Sequence, residues 1–301
     1  MLLIWSKLCV NKCIPLARQH QLLGMVAGRL QDKSSNVRKA AVQLLTALLQ
    51  GNPFAAKLQT EDLEGSLLEE QRKLDKLEEA EAAIEKPEEE NMEVDGEAAA
   101  EKEARESQQK EEITKQKLLI QYLNDCVKFS KIIQESLPVV AQLLGSKQSS
   151  DILEAIDFFV SAFEFGLVNA MLGVRKMLAL IWSSESNVRD AVVAAYKRLY
   201  VNIESSNPRQ AALTVAKNLI ALVKMSTVGE MTSLEKLIGE LVASKDLGKP
   251  LFTVLWEHFT GVLPDSTPEG ARSAIILLRM CACSEVSIIT ANVQVILMFL
   301  L

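Results

Sequence analysis

Apolar residues recur with a helical period between Gly173 and Val201. One stripe holds residues at i, i+3, i+4 and i+7, namely Val174, Met177, Leu178 and Ile181. After the polar stretch 183–187, a second stripe holds Val188, Val192, Ala195 and Leu199. Such spacing places each set on one face of a helix, and short polar side chains between them favour a turn with a helix N-cap. The pattern predicts a helical hairpin whose apolar faces are too wide to be covered within one pair, so that it stacks on others.

Part of this hairpin recurs elsewhere in the chain. SNVRKAAV at Ser35–Val42 and SNVRDAVV at Ser186–Val193 agree at six of eight positions, and Ala271–Ile276 is a weaker third copy. The spacings between copies fit a period of about 40–47 residues, which is typical of HEAT and armadillo repeats. We therefore predict an all-α HEAT-repeat α-solenoid of stacked antiparallel helix pairs.

Helical periodicity divides the chain into three parts. We predict a HEAT-repeat segment at 1–56, an acidic linker at 57–112, and a solenoid at 113–301 that is cut short at its C-terminal end. The predicted helices are 12–30, 36–50, 60–86, 118–135, 136–144, 151–165, the 173–201 pair, 208–224, 233–244, 250–262, 268–282 and 287–301. Among these, 208–224 with 233–244 and 250–262 with 268–282 are expected to form pairs.

Charge is distributed unevenly along the chain. The net charge is −6, but Glu61–Glu112 alone carries 21 acidic and 7 basic residues, so that the remainder is net positive. Residues 85–112 have almost no large apolar side chains, which predicts disorder because little surface could be buried to offset the entropy of ordering. We therefore expect a basic solenoid that carries an acidic insert.

The sequence contains few residues or motifs that could support catalysis. The two histidines, His20 and His258, lie in separate helical segments, and no nucleophile, phosphate-binding or zinc-protease motif occurs. The five cysteines are scattered in mostly apolar contexts and favour reduced thiols in an intracellular protein. We expect no enzyme, cofactor or metal site.

Basic residues off the apolar stripes are the remaining candidates for function. A solvated face is the ordinary interpretation of such residues, and a row of phosphate contacts along a solenoid is the sharper one. The candidates for DNA contact are Arg175, Lys176, Lys197, Arg198, Arg38 and Lys39. A structural ladder between repeats is predicted at Asp32, Arg38 and Arg189, although Ser183 replaces the aspartate in the second copy.

Two segments resemble a known family. Ser34–Leu58, with its NPF-x-x-KL string, and Asp151–Tyr200, with DFF, GVRKML and AYKRLY, are similar to the D-type HEAT-repeat subunits of condensin I. The resemblance implies a non-catalytic scaffold that binds the kleisin and SMC subunits of condensin and contacts DNA without sequence preference. It also implies a role in mitotic chromosome condensation, in the nucleus and on chromosomes with a cytoplasmic pool. In that family ATP hydrolysis belongs to the SMC subunits.

Other functions remain open at this point. A protein-only HEAT or armadillo scaffold, such as a transport-receptor-like adaptor, would share the same repeat pattern. A more remote alternative is a membrane-tethered adaptor that uses the apolar stretch Val295–Leu301, but this stretch is shorter than the roughly 20 residues that span a bilayer. We therefore expect no membrane partner and no small-molecule substrate.

Overall fold

A computed structural model describes residues 1–54, 57–84, 96–203, 205, 207–264 and 266–300. Within these ranges the regular structure is helical, without any strand. The helices are α1 Leu2–Val10, α2 Leu16–Ala27, α3 Ser35–Gln50, α4 Thr60–Ile84, α5 Gly96–Leu143, α6 Ser149–Glu164, α7 Ala170–Leu178, α8 Ser186–Tyr196, α9 Pro208–Met225, α10 Val228–Ala243, α11 Lys249–Phe259, α12 Pro268–Ala282, α13 Ser287–Thr290 and α14 Val293–Leu300. The chain forms two compact units, the first comprising residues 1–139 and 165–169 and the second residues 140–164 and 170–301.

The first unit begins with three packed helices. α3 lies against both α1 and α2, and its apolar face, including Leu45 and Leu48, is fully buried. Pro15 is extended and directly precedes α2, so that this helix begins at Leu16 rather than at the predicted residue 12. The predicted pair of helices is confirmed, whereas α1 had not been predicted because its apolar residues follow no clear period.

The helix of the acidic insert, α4, forms an antiparallel pair with the part of α5 that follows the insert. Half-buried residues of α4 follow a 3–4 spacing at 63, 67, 70, 74 and 77, and buried or half-buried residues of α5 follow the same spacing at 113, 116, 120, 123 and 127. The ammonium group of Lys131 lies 2.6 Å from the Glu64 carboxylate, and that of Lys117 lies 2.9 Å from Glu78. Later residues of α4 thus meet earlier residues of α5, as in an antiparallel coiled coil. We call α4 together with residues 110–135 of α5 the acidic arm.

Buried hydroxyl groups fix the base of the acidic arm. The Oγ1 of Thr60 lies 2.8 Å from the Oγ of Ser130 and donates to the Gln134 side chain at 2.9 Å. Ser130 in turn donates to the carbonyl of Leu58 at 3.1 Å. Because buried polar groups are costly unless they are hydrogen-bonded, this cluster ties the start of α4 to one position along α5.

The predicted disorder of 85–112 differs from the structure over part of its length. Residues 85–95 lie outside the described residues, but 96–112 form the beginning of α5. The sequence there is rich in Ala, Glu, Lys, Gln and Arg, which have the highest helix propensities, so low apolar content does not prevent a helix. α5 also continues through Pro138 to Leu143, where two separate helices had been expected.

The second unit contains the predicted α7–α8 hairpin. Val174, Leu178 and Ile181 are buried, as are Val188 and Val192. α7 continues as a 3₁₀ turn over Ala179–Trp182, which packs against α8 and α10. The predicted helix–turn–helix is therefore confirmed, with α8 contacting the 3₁₀ end of the first helix and both α7 and α8 packing on α6.

One residue of the predicted apolar stripe is displaced in the structure. Leu199 is only half-buried, while Tyr196 and Tyr200 are buried and their rings stack with centroids 5.7 Å apart. The cause is a π-helical turn over Lys197–Val201, because its wider i→i+5 pattern moves the inward position one residue along the chain. The burial predicted for Leu199 was wrong for this reason.

The helix pairs that follow are only partly as predicted. α11 and α12 pack against each other as expected. α9, however, makes its main contacts with α11 and α12, while α10 lies against α12, α7 and the 3₁₀ turn at 179–182. The expected α9–α10 pair is therefore not formed as predicted, and the two helices share α12 as a neighbour while their other contacts differ.

A close approach between two helices requires a glycine in α7. A Cβ atom placed on Gly173 would lie 2.1 Å from two ring carbons of Phe159 in α6. Phe159 is itself fully buried, so its ring has no room to move away. The contact between α6 and α7 thus depends on the absence of a side chain at position 173.

Candidate nucleic-acid interface

Arg175 is held by a carboxylate of the same unit. Its Nε and Nη2 donate to the two carboxylate oxygens of Glu230 at 3.0 and 2.6 Å. Glu230 also accepts from the backbone N–H and the hydroxyl of Thr227, which it caps at the start of α10. These hydrogen bonds, that from the Arg175 guanidinium first, lower the pKa of Glu230 to about 2. The pair joins α7 to α10 in a bidentate geometry.

The two basic residues of the π-helical turn are also paired. Lys197 forms a short hydrogen-bonded ion pair with Asp246, which follows α10. Arg198 donates from Nε and Nη2 to the carboxylate of Glu164 in α6, at 2.7 and 2.6 Å. Through opposite charges, this turn therefore connects to α6 and to the segment that follows α10.

Lys176 is engaged with the backbone instead of an acid. Its ammonium group donates to the carbonyl of Ala141 at 2.6 Å, close to the last residues of α5. A cation near a helix C-terminus is favourable because the carbonyls there carry partial negative charge. All four residues predicted to form a phosphate-contacting face thus have partners within the second unit, and a phosphate would have to compete with them.

Arg38 and Arg189 make the same local contact in the two copies of the repeated octapeptide. Arg38 Nη1 donates to the carbonyls of Asp32 and Lys33 at 2.9 and 3.1 Å. Arg189 Nη1 donates to the carbonyls of Ser183 and Ser184 at 2.7 and 3.1 Å. Because both contacts go to the backbone of the preceding turn, the arginine recurs even where the aspartate does not. Lys39 is half-buried and takes part in a further interaction.

The Asp32 carboxylate accepts a hydrogen bond from the backbone of its own turn. Its Oδ1 accepts from the N–H of Ser34 at 3.0 Å, and its Oδ2 lies 3.8 Å from Arg29. The predicted ladder residues therefore stabilise the turns within helix pairs. A ladder that crosses from one repeat to the next remains a prediction.

Other basic residues of the second unit have no acidic partner in the described part of the chain. They are exposed and lie outside every ion pair of this unit: Lys147, Lys217, Lys245, Lys249 and Arg272. The sequence did not distinguish them from the paired set, because pairing depends on which carboxylate the fold brings near. Like Lys176, they are cations that a phosphate could reach without displacing a described acid.

The thiols lie mostly in the interior. All five cysteines are free, and Cys9, Cys126 and Cys281 are buried. Burial raises the pKa of Cys281 to about 12, which keeps it in the unreactive thiol form. No group of His, Cys, Asp and Glu among the described residues has the arrangement of a metal site.

No helix in the described ranges combines the length and apolar character needed to cross a membrane.

The HEAT repeat family matches residues 22–51, which cover the second half of α2 and all of α3. Condensin complex subunit 1 of Xenopus laevis is 28% identical over 97% of this chain and 29% of its own length. The chain belongs to the condensin complex subunit 1 family. Condensin-1 complex subunit CAP-D2 of Arabidopsis thaliana is 28% identical over 98% of this chain and 22% of its own length.

The similarity to condensin complex subunit 1 extends to yeast. The Saccharomyces cerevisiae protein of that name is 31% identical over 75% of this chain and 22% of its own length. The chain therefore spans less than a third of the length of these relatives. Among solved structures, an engineered protein aligns with 93% of this chain at 13% identity and a TM-score of 0.32.

Proposed function

We propose that this chain is a non-catalytic scaffold segment of a condensin complex. In this role its helix pairs bind the kleisin and SMC subunits during mitotic chromosome condensation, in the nucleus and on chromosomes with a cytoplasmic pool. The observation that carries the proposal is the similarity of nearly the whole chain to condensin complex subunit 1 of several eukaryotes. The stacked helix pairs support it, because such arrays offer extended surfaces to protein partners.

Partner binding is tested by affinity purification from mitotic cells. The tagged chain is expected to retain the other condensin subunits, identified by mass spectrometry. A matched control is Gly173→Ala, since that substitution disturbs the α6–α7 contact while leaving the surface composition unchanged. Recovery of unrelated proteins only, by the folded wild-type chain, would contradict the proposal.

We further propose that the second unit contacts DNA through its basic residues, without sequence preference. Arg175, Lys176, Lys197 and Arg198 remain candidates, but each would have to exchange a partner within the chain for a phosphate. Lys147, Lys217, Lys245 and Lys249 have no acidic partner among the described residues, so a phosphate would not compete there with a carboxylate of the described chain. Contacts of this kind go to the phosphate backbone and carry no sequence information.

The unpaired cations also provide a cleaner experiment than the paired ones. Replacing Arg175 by Glu would place two carboxylates together at Glu230 and disturb the fold. Replacing Lys147, Lys217, Lys245 and Lys249 by Gln leaves intact every ion pair between the described residues of the second unit. Removal of each phosphate contact should lower the slope of log affinity against log salt by roughly 0.9 on duplex DNA.

The result of that experiment separates the two candidate functions. Weaker binding to several unrelated duplexes, with a reduced salt slope, supports the DNA-contacting scaffold. An absence of duplex binding by the wild-type chain at low salt favours the alternative, a protein-only HEAT or armadillo scaffold or transport-receptor-like adaptor.

A further inference from the structure

The basic residues of α9 lie on one face of this helix, because each is about two turns from the next. At one end of the row, Arg209 Nη2 donates to the two carboxylate oxygens of Glu257 in α11, at 3.2 and 2.9 Å. At the other end, the ammonium group of Lys224 lies 2.8 Å from the carboxylate of Glu269 in α12. Lys217, the middle cation of the row, is exposed and has no acidic partner among the described residues.

The middle cation of this row borders a pocket of about 270 Å³ between α9 and the end of α11. Its lining combines polar and apolar side chains and, among the described residues, contains no carboxylate: Gln210, Leu213, Thr214, Lys217, His258, Leu263 and Pro264. Sites for drug-sized ligands occupy about 300–1,000 Å³. This pocket is therefore of a size for one or two side chains, and its charge favours an anion.

Hydrogen bonds hold the wall opposite α9 in place. Gly261, just after α11, has a left-handed conformation with φ +72°, which glycine adopts without strain. The N–H of Val262 donates to the carbonyl of Glu257 at 3.1 Å, and the hydroxyl of Ser266 donates to the carbonyl of His258 at 2.7 Å. Because these bonds form within the chain, the pocket exists before a ligand enters, and binding loses little entropy in ordering it.

The apolar part of the pocket lies next to its cation. Leu213 and Leu263 are both half-buried, so part of each side chain can still contact a ligand. Leu213 precedes Lys217 by one helical turn, a rise of about 6 Å at 1.5 Å per residue. Alternate side chains of an extended polypeptide point to the same side and are about 6.6 Å apart. An aliphatic residue two positions from an Asp or Glu would therefore match the spacing of the pocket.

We propose that this pocket binds an extended acidic segment of a partner protein, whose carboxylate pairs with Lys217 while a neighbouring aliphatic side chain packs against Leu213 and Leu263. The partner's carboxylate completes the row in which Glu257 and Glu269 serve the other two cations of α9. The inference deepens the proposed scaffold function and rests on it. The two can fail separately, because the pocket is tested with a peptide and the scaffold by co-purification.

DNA is the competing occupant, since Lys217 is also one of the lysines proposed above to contact phosphates. Duplex DNA is stiff on the scale of a protein, with a persistence length of about 150 base pairs. Its phosphates therefore cannot follow a recess of side-chain width, whereas a single carboxylate on a flexible side chain can. The test includes a short duplex for this reason.

The pocket is tested on the full chain with ¹³C-labelled histidine. The chain has two histidines, of which His258 lines the pocket and His20 belongs to the first unit. A His20→Asn sample therefore identifies the ring signal that reports on the pocket. The probe is a capped pentapeptide, Ala-Leu-Ala-Glu-Ala, and a second peptide has Gln in place of Glu, with nearly the same shape but no charge.

We expect the His258 ring signal to move in a saturable way with the Glu peptide, with a dissociation constant of roughly millimolar order. The His20 signal should stay in place. Lys217→Gln should weaken binding about two- to fivefold, as expected for loss of an exposed ion pair. The matched control is Lys249→Gln, because Lys249 is another exposed lysine of this unit without a described acidic partner but lies outside the pocket lining. It should bind the Glu peptide as the wild type does.

A charge exchange keeps the test decisive if Lys217→Gln disturbs the fold. Lys217→Glu should lose the Glu peptide and bind a peptide that has Lys in place of Glu. The proposal is overturned if the Glu peptide does not move the His258 signal, or if the Gln peptide moves it equally. It is also overturned if Lys217→Glu binds the Glu peptide as tightly as the wild type, or if a short DNA duplex moves the signal where the Glu peptide does not.

Discussion

At the scale of single residues, a few side chains determine how neighbouring helices meet. Gly173 allows Phe159 to lie against α7, and the buried Tyr196 hydroxyl donates to the carbonyl of Val174 at 2.7 Å. Arg175 and Glu230 then join α7 to α10. The polar contacts in this region therefore form between helices that apolar packing already holds close together.

Substitution of Gly173 tests that packing. Gly173→Ala should lower the free energy of unfolding by about 1–3 kcal/mol, because the new methyl group overlaps a buried ring that cannot move aside. Gly229→Ala is the matched control, since no atom lies within 4 Å of a Cβ at that position. Equal melting temperatures for the two variants would show that α6 and α7 can separate without cost.

The Arg175–Glu230 pair predicts a dependence of stability on pH. The carboxyl pKa falls from 4.5 in the reference state to about 2 in the folded chain. Its contribution is therefore complete above about pH 4.5 and disappears as the pH falls towards 2. We expect Glu230→Gln to destabilise the chain by roughly 1–2 kcal/mol at neutral pH, and by progressively less in acid.

Denaturant unfolding of both proteins at several pH values measures this effect. The difference in unfolding free energy between the wild type and Glu230→Gln should shrink between pH 4.5 and 2. A difference that stays constant across this range would mean that the carboxylate charge contributes nothing to the pair.

At the scale of elements, the sequence predicts those helices and turns that depend on local residue patterns. The α7–α8 and α11–α12 pairs follow from apolar periodicity and from turns that contain short polar residues or proline. The π-helical turn at 197–201 could not be predicted, because it depends on how Tyr196 and Tyr200 pack. The neighbours of α9 and α10 and the pairing of the basic residues also arise from tertiary contacts.

The acidic region shows where composition misleads and where periodicity does not. Net negative charge and low apolar content predicted disorder for residues 85–112, yet residues 96–112 form the beginning of α5. The helices predicted at 60–86 and 118–135 follow leucines at heptad spacing in α4 and the matching apolar residues of α5. A stripe this narrow is sufficient for a two-helix contact, although it would be too narrow for a globular core.

A charge exchange across the arm tests its antiparallel register. Glu64→Lys should lower stability by about 0.2–1 kcal/mol, since it places two cations together at Lys131. Adding Lys131→Glu restores opposite charges and should recover most of that stability. Thermal unfolding followed by circular dichroism measures the cycle, and additive losses in the double variant would refute this pairing.

At the scale of the whole molecule, the similarity to condensin complex subunit 1 extends over both helical units. The similarity covers nearly the whole chain but less than a third of the relatives. The chain thus corresponds to one portion of these longer relatives, and its proposed contacts with other subunits belong to that portion. Partner binding and DNA binding should therefore be separable by surface substitutions that leave the fold intact.

We propose that this chain functions as a segment of condensin complex subunit 1. The most direct measurement replaces the matching segment of the Saccharomyces cerevisiae relative with this chain and quantifies the condensin subunits that co-purify with the hybrid. We predict that the hybrid retains the other subunits at levels close to those of the unaltered protein, and that Gly173→Ala in the exchanged segment reduces them. A hybrid that is folded and abundant but recovers no condensin subunit would contradict this claim.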